Sequence, residues 1–390
     1  MEDNKVTSEE NKITSEETTA EEKPEKKKSW ARKNIPFLII EAIVLCISIG
    51  ILYVVTITTS SVKKVDVDTN KVVINDTVIA KQKADNEKKK SDPTYTGSGV
   101  RNIALFGVDS RVGDLGKRTR SDTMIIASID QDNHEIKLIS LYRDTYLNLG
   151  NDKYAKCNAA YAYGGPEQAM TMLNMNFDLD ITDYVTIGFE GLSEAVDALG
   201  GVEVDVAVDE ISHLNNYQRS MYVNEDGTGE LNNDITEVYE SGVQTLNGLQ
   251  ATAYCRIRYT AGNDFKRTER QRQVIMQLFN RAKTSSITKL SRAVTAIMPN
   301  VETSLKVDEI IGLLTTIGEY NVTTSEGLPF EEHRYPVRLG SDGWVELPTT
   351  LVDNATRMHQ IIYPNEEYVP SDTVVNISNH IRDYSAPYMQ

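Results

Sequence analysis

The sequence contains few of the side chains that bind transition metals or form covalent cross-links, with 3 cysteines and 5 histidines among 390 residues. No CxxC pair and no closely spaced group of histidines occurs, which argues against a zinc site. Cys46 lies in an apolar segment, and Cys157 and Cys255 are too far apart in the sequence for a disulfide to be assigned between them. We therefore expect the latter two to be buried thiols.

Positive charge is also scarce in this chain. It has 41 lysine and arginine residues against 57 aspartate and glutamate residues, which gives a net charge of -16. This balance argues against general binding to nucleic acid, so we expect no nucleic-acid partner, and any anion-binding site must be local. A hydrophobic content of 40% and a charged content of 25% are typical of globular proteins, and the length suits one large domain or two smaller ones.

The N-terminal part contains an almost uncharged apolar run, Ile35–Thr59. At about 1.5 Å per residue this run covers a bilayer core of about 30 Å, which predicts a single transmembrane helix. Six lysine or arginine residues between positions 23 and 33 precede the run, against Lys63 and Lys64 just after it, so the N-terminus is expected in the cytoplasm and the rest of the chain outside. A cleaved signal peptide is the alternative, which the length of the run and the absence of a small-residue cleavage motif disfavour.

The segments on either side of this run differ in composition. Residues 1–34 consist mostly of Ser, Thr, Glu and Lys, a composition typical of a disordered tail, here a cytoplasmic one. Residues 60–97 are predicted to form an extracellular stalk with at most a short strand or helix. From about residue 98 to 364 apolar runs of five to seven residues alternate with helical patterns, which predicts an α/β domain. Residues 365–390 are interpreted as a C-terminal tail.

The apolar runs predict the strands and helices of this domain. The strands are Ile103–Val108, Thr123–Ile129, Ile136–Leu141, Tyr184–Ile187, Val202–Val206 and Ala253–Tyr259. Two later apolar patterns, Leu290–Met298 and Val307–Ile317, predict packing helices.

One short segment reverses the charge of the chain, because the seventeen residues from Arg256 to Arg272 contain six cations and two anions. If Ala253–Tyr259 is a strand, the alternation of side chains places Arg256 and Arg258 on one face. Both guanidinium groups would then point in the same direction.

A helical pattern follows, opening near Asp264, and its Arg267 and Gln271 lie four residues apart on one side. The N-terminus of a helix carries the positive end of its dipole, and guanidinium groups bind oxyanions as planar forks. The segment therefore predicts a site for phosphate or pyrophosphate. The alternative is a solvated basic helix with ordinary surface ion pairs.

Further polar residues stand at the ends of the predicted strands and in the loop after the third. They are Asp109, Arg111, Arg120, Asp122, Arg143, Asp144, Lys156 and Asn158. Ligands of α/β sheets bind beyond the strand ends, so one rim can collect these side chains together with the arginines described above. Asp109 and Asp122 can hold one magnesium ion that also binds pyrophosphate oxygens. The alternative for each aspartate is an ordinary turn or helix cap.

Seven motifs in series resemble the LytR-CpsA-Psr family of bacterial cell-envelope proteins in order and spacing. They cover about residues 100–275 and read NIALFGVDSR, RSDTMIIASID, ISLYRDTY, KCNAAYAYGG, DALGGVEVDV, LNGLQATAYCRIRY and NDFKRTERQRQ. Two positions depart from the family pattern: Tyr142 stands where the family commonly has proline, and Cys157 where it usually has an aliphatic residue. The continuation to about Pro364 also resembles the closing part of the family's domain.

The resemblance implies a central mixed β-sheet flanked by helices and a membrane-anchored phosphotransferase. Such an enzyme moves a glycopolymer from an undecaprenyl-pyrophosphate carrier to peptidoglycan through a phosphodiester bond. It also implies Mg²⁺, or Mn²⁺ in its place, at Asp109 and Asp122. The implied catalytic residues are Arg143, Arg267 and Asp109, and the implied pyrophosphate contacts are Arg120, Arg143, Arg256, Arg258, Arg267 and Gln271.

Two other functions are compatible with the same residues. One is a pyrophosphatase that hydrolyses the lipid pyrophosphate, and the other is a non-catalytic envelope module that binds anionic polymer or regulates envelope genes. The proton acceptor is left open between Asp109, Asp264 and a metal-oriented hydroxyl group, and the oligomeric state is left open as well. Each arginine is expected to contribute about 2–4 kcal/mol of transition-state stabilisation, so Arg267→Ala is expected to reduce transfer while leaving the thermal midpoint nearly unchanged.

Overall fold

A computed structural model describes residues 71–92, 99–109, 115, 119–221, 231, 234–260 and 263–389. All of them belong to one compact unit, Tyr53–Gln390. The predicted cytoplasmic tail and the predicted transmembrane helix Ile35–Thr59 lie outside the described residues. Within those residues, no helix combines the length and the apolar character needed to cross a bilayer.

The described residues form twelve strands. In chain order they are β1 (Val100–Val108), β2 (Ser121–Asp130), β3 (Glu135–Leu141), β4 (Tyr146–Asn148), β5 (Tyr154–Lys156), β6 (Asp183–Ile187), β7 (Val202–Val206), β8 (Gly242–Leu246), β9 (Val301–Thr303), β10 (Asn321–Leu328), β11 (Arg334–Leu339) and β12 (Gly343–Pro348).

Ten α-helices accompany these strands in the described part of the chain. They are α1 (Asp76–Ser91), α2 (Ala159–Phe177), α3 (Phe189–Leu199), α4 (Val208–Arg219), α5 (Gly248–Tyr254), α6 (Asn263–Lys283), α7 (Ile287–Ile297), α8 (Val307–Thr316), α9 (Leu351–Ile362) and α10 (Asp372–Ser385).

Six strands form a central sheet in the order β10-β3-β2-β1-β6-β9. β1 and β6 are parallel, as are β3 and β10, whereas the pairs β1–β2, β2–β3 and β6–β9 are antiparallel. The expectation of a mixed sheet flanked by helices is therefore confirmed. Seven consecutive residues of β2, from Met124 to Asp130, are buried, because helices cover both faces of the sheet.

The two faces of the sheet pack against different helices. On one face Phe106, Ile126 and Ile139 belong to a core that includes residues of α2, α9 and α10. On the other face Ile125 and Leu138 pack against Ile275 and Met276 of α6, and helices α3, α7 and α8 extend this layer.

The predicted strand Ala253–Tyr259 is wrong. Its first residues belong to helix α5, and a turn follows. The helix begins with a capping box, in which Asn247 Oδ1 accepts from the backbone N–H of Gln250 and Gln250 Oε1 accepts from the backbone N–H of Asn247, both at 2.9 Å. The Asn-Gly-Leu-Gln sequence is a recognisable helix start, and the argument from strand alternation for Arg256 and Arg258 does not hold.

The hairpin formed by β11 and β12 lies beside the loop that follows β3. The backbone N–H of Glu346 donates to the carbonyl oxygen of Asp144 at 3.0 Å, and Thr145 forms a parallel bridge with Glu346. This contact fixes the hairpin next to the Arg143–Asp144 pair.

Residues on both sides of the predicted domain also belong to the packed body. In the predicted stalk, buried Asn75 donates to the carbonyl oxygen of Met175 at 3.2 Å and to Asp178 Oδ1 at 2.5 Å. The interpretation of residues 365–390 as a tail is corrected, because they contain α10, whose Ile377 and Ile381 are 4% and 2% exposed in the main core. The helical spacing of these apolar residues was visible in the sequence.

Ile377→Ala is expected to destabilise the protein by about 2–5 kcal/mol, because it leaves a cavity in a well-packed core. Val375 on the same helix is 36% exposed, so Val375→Ala is the matched control and is expected to change stability by about 0.5 kcal/mol or less. Guanidinium denaturation of the full chain measures both. Equal, small effects would mean that α10 does not pack as described.

Candidate active site

The carboxylate of Asp122, at the start of β2, binds three arginines from three different segments. Arg143, in the loop after β3, reaches Oδ1 and Oδ2 at 3.2 and 3.0 Å. Arg267 of α6 donates to Oδ2 at 3.1 Å, and Arg258, in the turn after α5, donates to the same oxygen. The structure thus brings together four residues from four segments of the chain.

The electrostatic balance around Asp122 favours its ionised form. Burial by itself would raise the pKa of this carboxyl group, but the charges of Arg267, Arg143 and Arg258 outweigh burial and hold the pKa below its usual value. Since the folded-state pKa is depressed, the stability that these ion pairs contribute is present above the unfolded pKa and is lost as the pH falls through the folded one.

Arg267 is held more tightly than the other arginines of this cluster, since its side chain is 2% exposed. It forms a second ion pair with Asp264 Oδ1 at 2.9 Å and donates to the carbonyl oxygen of Asp122 at 3.2 Å. Burial lowers the pKa of Arg267, and the two carboxylates offset part of that effect. The guanidinium group is therefore fixed in position and largely desolvated.

Arg143 connects two groups of carboxylates. Its Nη1 atom contacts Asp122, whereas its Nε atom faces Asp264 Oδ1 at 3.2 Å and Asp144 Oδ2 at 3.5 Å. Asp144 in turn pairs with Lys156 at 2.9 Å. Arg143 thus lies between Asp122 on one side and Asp144 and Asp264 on the other.

The two departures from the family pattern lie directly beside Arg143. The ring of Tyr142 packs edge-to-face on Phe265 at 4.7 Å, and its hydroxyl group occupies the space that a side chain at Gly327 would need. Cys157 is buried, and its thiol donates to the carbonyl oxygen of Tyr142 at 3.2 Å. Arg143 still reaches Asp122, so both departures are accommodated locally. Cys157 and Cys255 are free, buried thiols, as expected.

A cavity of about 620 Å³ begins at this cluster and lies between the sheet and helices α3, α6, α7 and α8. Its polar end is lined by Asp109, Asp122, Arg256, Arg258, Arg267 and Gln271. The remaining lining is almost entirely apolar and includes Ile125, Ile136, Phe279, Leu305, Leu313 and Ile317. Thr123 and Ile129 of β2 both line it, and six residues of strand correspond to about 20 Å, so the cavity is long enough for an extended apolar chain.

The predicted pyrophosphate-binding residues are held in different ways, and one of them, Arg120, does not line this polar end. Arg256 lies over the rings of Phe189 and Tyr217, at 4.6 and 5.2 Å, and Gln271 donates to the carbonyl oxygen of Cys255 at 3.3 Å. Arg120 is exposed and is absent from the described lining of the cavity. Arg111 lies outside the described residues.

Some residues near the site cannot be recognised as site residues from the sequence. The rings of Phe189 and Tyr217 pack against the guanidinium group of Arg256. Arg334 of β11 stacks on Phe265 at 3.9 Å. Glu346 of β12 lies near Asp144 and Asp264. Burial, together with these two carboxylates, raises its pKa to about 7, against the opposing effect of Arg334. Alternation in β12 predicts which face Glu346 occupies, but its neighbours depend on contacts between distant segments.

The carboxylates at the polar end have the chemistry of a magnesium site that is completed by a substrate. Asp109 and Asp122 both line the cavity there, and Asp122 is held ionised. Within the described residues, no group of three or more His, Cys, Asp or Glu side chains is arranged to hold a metal by itself. Mg²⁺ is commonly bound by one or two carboxylates together with substrate phosphates, so this pair fits a metal that arrives with a pyrophosphate.

The fold and the site define a class of α/β proteins with an arginine cluster at the end of an apolar cavity. The chain belongs to the LytR_cpsA_psr family, which it matches over residues 67–342. This assignment confirms the resemblance inferred from the serial motifs.

Curated relatives and solved structures agree with that assignment. Polyisoprenyl-teichoic acid–peptidoglycan teichoic acid transferase TagU of Oceanobacillus iheyensis is 35% identical over 249 residues, 61% of this chain and 70% of the relative. TagU of Enterococcus faecalis is 33% identical, covering 57% of this chain and 67% of the relative. The crystal structure of gbs0355 from Streptococcus agalactiae is 26% identical with a TM-score of 0.57, covering 70% and 90% of the two chains. Bacillus subtilis TagV, 24% identical with a TM-score of 0.54, shares the fold over 70% and 100% of the chains.

The burial of Arg267 changes the expectation for Arg267→Ala. Removing one partner of a buried ion pair leaves the others uncompensated, so this substitution is expected to lower stability by about 3–5 kcal/mol. Arg258 is 38% exposed, and Arg258→Ala is expected to cost about 1 kcal/mol or less. Denaturation of both variants at neutral pH measures the difference, and equal losses would contradict the described burial.

Proposed function

We propose that this chain is a membrane-anchored phosphotransferase that moves an anionic glycopolymer from undecaprenyl pyrophosphate to peptidoglycan through a phosphodiester bond. The observation that carries the proposal is the junction of the apolar cavity with the arginine cluster at Asp122. An amphiphile with a long apolar chain and a pyrophosphate headgroup matches both parts. The names of the TagU relatives support peptidoglycan as the acceptor and a polyisoprenyl-linked polymer as the donor.

The lipid portion of the donor would occupy the cavity. Its walls are apolar side chains of the sheet and of α3, α6, α7 and α8, and burial of apolar surface there contributes about 25 cal/mol per Å². The predicted helix Ile35–Thr59 would hold the domain close to the membrane that supplies the carrier, with the N-terminus in the cytoplasm and the catalytic domain outside.

The pyrophosphate headgroup would replace the carboxylate of Asp122 as the anion that the arginines bind. Arg143, Arg258 and Arg267 already converge on a single carboxylate, so little reorganisation is needed before they bind pyrophosphate oxygens. Arg256 and Gln271 line the same end of the cavity and extend the anion-binding surface. Asp122, released from its arginine partners, would then be free to bind a metal ion.

Asp109 and Asp122 are the residues that would hold Mg²⁺, or Mn²⁺ in its place. A bound divalent ion neutralises charge on the pyrophosphate and favours departure of the phosphate. The arginines supply fixed positive charge in a partly desolvated site. Alignment and charge neutralisation are the main requirements of phosphoryl transfer, and this site meets them without a covalent nucleophile of its own.

In the proposed transfer one P–O bond forms and one breaks. A hydroxyl oxygen of the acceptor attacks the sugar-proximal phosphorus, a new P–O bond forms, and the phosphoanhydride P–O bond breaks. The bonding electrons of the broken bond leave with the lipid monophosphate, and the hydroxyl proton goes to a base. The product is a phosphodiester between the glycopolymer and peptidoglycan.

Arg258→Ala is expected to lower transfer by about 10²–10³-fold, because it removes one electrostatic donor from the site. A synthetic polyprenyl-pyrophosphate-linked saccharide is the donor, a peptidoglycan oligosaccharide is the acceptor, and mass spectrometry identifies the products. Arg292→Ala, which removes an exposed arginine of α7, is the matched control and is expected to behave as wild type.

The products of the same assay distinguish the proposed transfer from the two alternative functions. Release of free glycopolymer phosphate in place of the phosphodiester, with the acceptor present, would identify a pyrophosphatase. Donor binding without turnover in the presence of Mg²⁺ would identify a binding module. Either result contradicts the proposed transfer.

Leu313→Trp is expected to weaken binding of a long polyprenyl pyrophosphate much more than binding of a short-chain analogue, because Leu313 of α8 lines the apolar part of the cavity. Thr315→Trp is the control on the same helix, where Thr315 is exposed and is not among the lining residues. Titration with fluorescent analogues of two chain lengths measures both affinities. Equal losses for the two lengths would contradict lipid binding in the cavity.

A further inference from the structure

We propose that Glu346 accepts the proton of the attacking acceptor hydroxyl, on the side of Arg143 that faces away from the lipid cavity. This inference rests on the proposed function, because it assigns the base for that reaction. It concerns a residue of the β11–β12 hairpin that lies beyond residue 342, where the family match ends.

Carboxylates lie on two sides of Arg143. Asp122, on one side, lines the lipid cavity, whereas Asp144, Asp264 and Glu346 are absent from the described lining of that cavity. In phosphoryl transfer the attacking and leaving oxygens are roughly in line across the phosphorus. If the leaving lipid phosphate lies on the cavity side, the acceptor hydroxyl approaches from the side of Asp144, Asp264 and Glu346.

The backbone holds Glu346 at this position. Its N–H donates to the carbonyl oxygen of Asp144 at 3.0 Å, and β12 bridges to Thr145, so Glu346 adjoins the residues that follow Arg143. The Oε2 atom of Glu346 is buried and has no hydrogen-bond partner in the described structure. Trp344 lies two residues away on the same face of the hairpin and is 66% exposed, so this face leads from Glu346 to solvent, where an acceptor can approach.

The other carboxylates beside Arg143 are already bound to cations. Asp122 binds three arginines, and Asp264 binds Arg143 and Arg267. Asp144 binds Lys156 and faces Arg143. Cations already occupy positions beside these carboxylates, where an acceptor hydroxyl would have to approach. Glu346 forms no ion pair with the described residues, so on this side its carboxyl group is the one without a cation paired to it.

The charged groups that face Glu346 explain its proton affinity. They are Arg334 on β11, Asp144 in the loop after β3 and Asp264 on α6, with Arg143 and Lys156 bound to these two aspartates. Burial raises the pKa of Glu346 to about 7 against the effect of Arg334, and Asp144 and Asp264 add to the rise. A general base is most effective when its pKa lies near the working pH.

In the proposed step the acceptor O–H bond breaks, its oxygen bonds to the sugar-proximal phosphorus, and the proton moves to a carboxylate oxygen of Glu346. The phosphoanhydride electrons leave with the lipid monophosphate. Glu346 then returns the proton to solvent before the next turnover. Since Glu346 must be ionised to act, transfer is expected to rise with pH up to about 7 and to level off above it.

The test compares Glu346→Gln, Glu346→Asp and the full-length wild type in detergent micelles, using the synthetic saccharide donor and peptidoglycan oligosaccharide acceptor described above. Glu346→Gln is expected to lower transfer by about 10²-fold or more and to abolish the rise toward pH 7, while binding a fluorescent polyprenyl pyrophosphate as wild type does. Glu346→Asp is expected to restore part of the rate together with a pH-dependent rise. Glu332→Gln, the same change in the turn before β11, is the matched control and is expected to keep the wild-type rate and profile.

Stability provides an independent control for these variants. The pKa of Glu346 is raised from 4.5 to about 7 in the folded protein, so its ionisation costs stability as the pH rises through this range. Glu346→Gln is therefore expected to have a thermal midpoint equal to or above that of wild type at pH 7.5, and loss of transfer in this variant would not reflect unfolding.

Three outcomes would contradict the proposed role of Glu346, and they distinguish its failure from failure of the proposed function. If wild type transfers and Glu346→Gln transfers at the same rate with the same pH profile, Glu346 is not the base and the proposed function stands. If Glu346→Gln loses donor binding to the same extent as transfer, Glu346 acts on the donor side and the proposed role is wrong. If wild type forms no phosphodiester product, the proposed function fails, and the role of Glu346 fails with it.

Discussion

The convergence of three arginines on the carboxylate of Asp122 is the interaction on which the rest of the site depends. Three guanidinium groups repel one another, and Arg267 has also lost most of its hydration. A central carboxylate offsets both costs and keeps the cations in one place. Strand β2 supplies Asp122, the loop after β3 supplies Arg143, α6 supplies Arg267 and the turn after α5 supplies Arg258. The fold thus stabilises a concentration of positive charge within a strongly acidic chain.

This cluster stands where two different environments meet. On one side the cavity presents apolar side chains along about 20 Å of the sheet, a surface suited to a lipid chain. On the other side Arg143 faces Asp144 and Asp264, and the β11–β12 hairpin adjoins Asp144. In the proposed transfer, the lipid of the donor would lie on the cavity side of the phosphorus, and the acceptor hydroxyl would approach from the opposite side. Arg143 and Arg267 both contact Asp122 and Asp264 and so connect the two sides.

The sequence predicted the parts of this architecture that depend on local pattern. Apolar runs predicted the central strands. The position of Asp122 and Arg143 at strand ends predicted that they belong to one polar cluster. The strand predicted at Ala253–Tyr259 is wrong because the capping box at Asn247 starts a helix that includes its first residues, although the turn after α5 still brings Arg258 to Asp122. Glu346 was missed for another reason: its position beside Asp144 depends on packing between distant segments, which no local pattern encodes.

The most direct measurement is a crystal structure of the domain with a polyprenyl pyrophosphate and Mg²⁺. The account predicts the apolar chain between the sheet and α8, with headgroup oxygens within hydrogen-bond distance of Arg143, Arg258 and Arg267 in place of Asp122. A headgroup bound away from these arginines, or a cavity filled by protein side chains with the lipid on another surface, would contradict it.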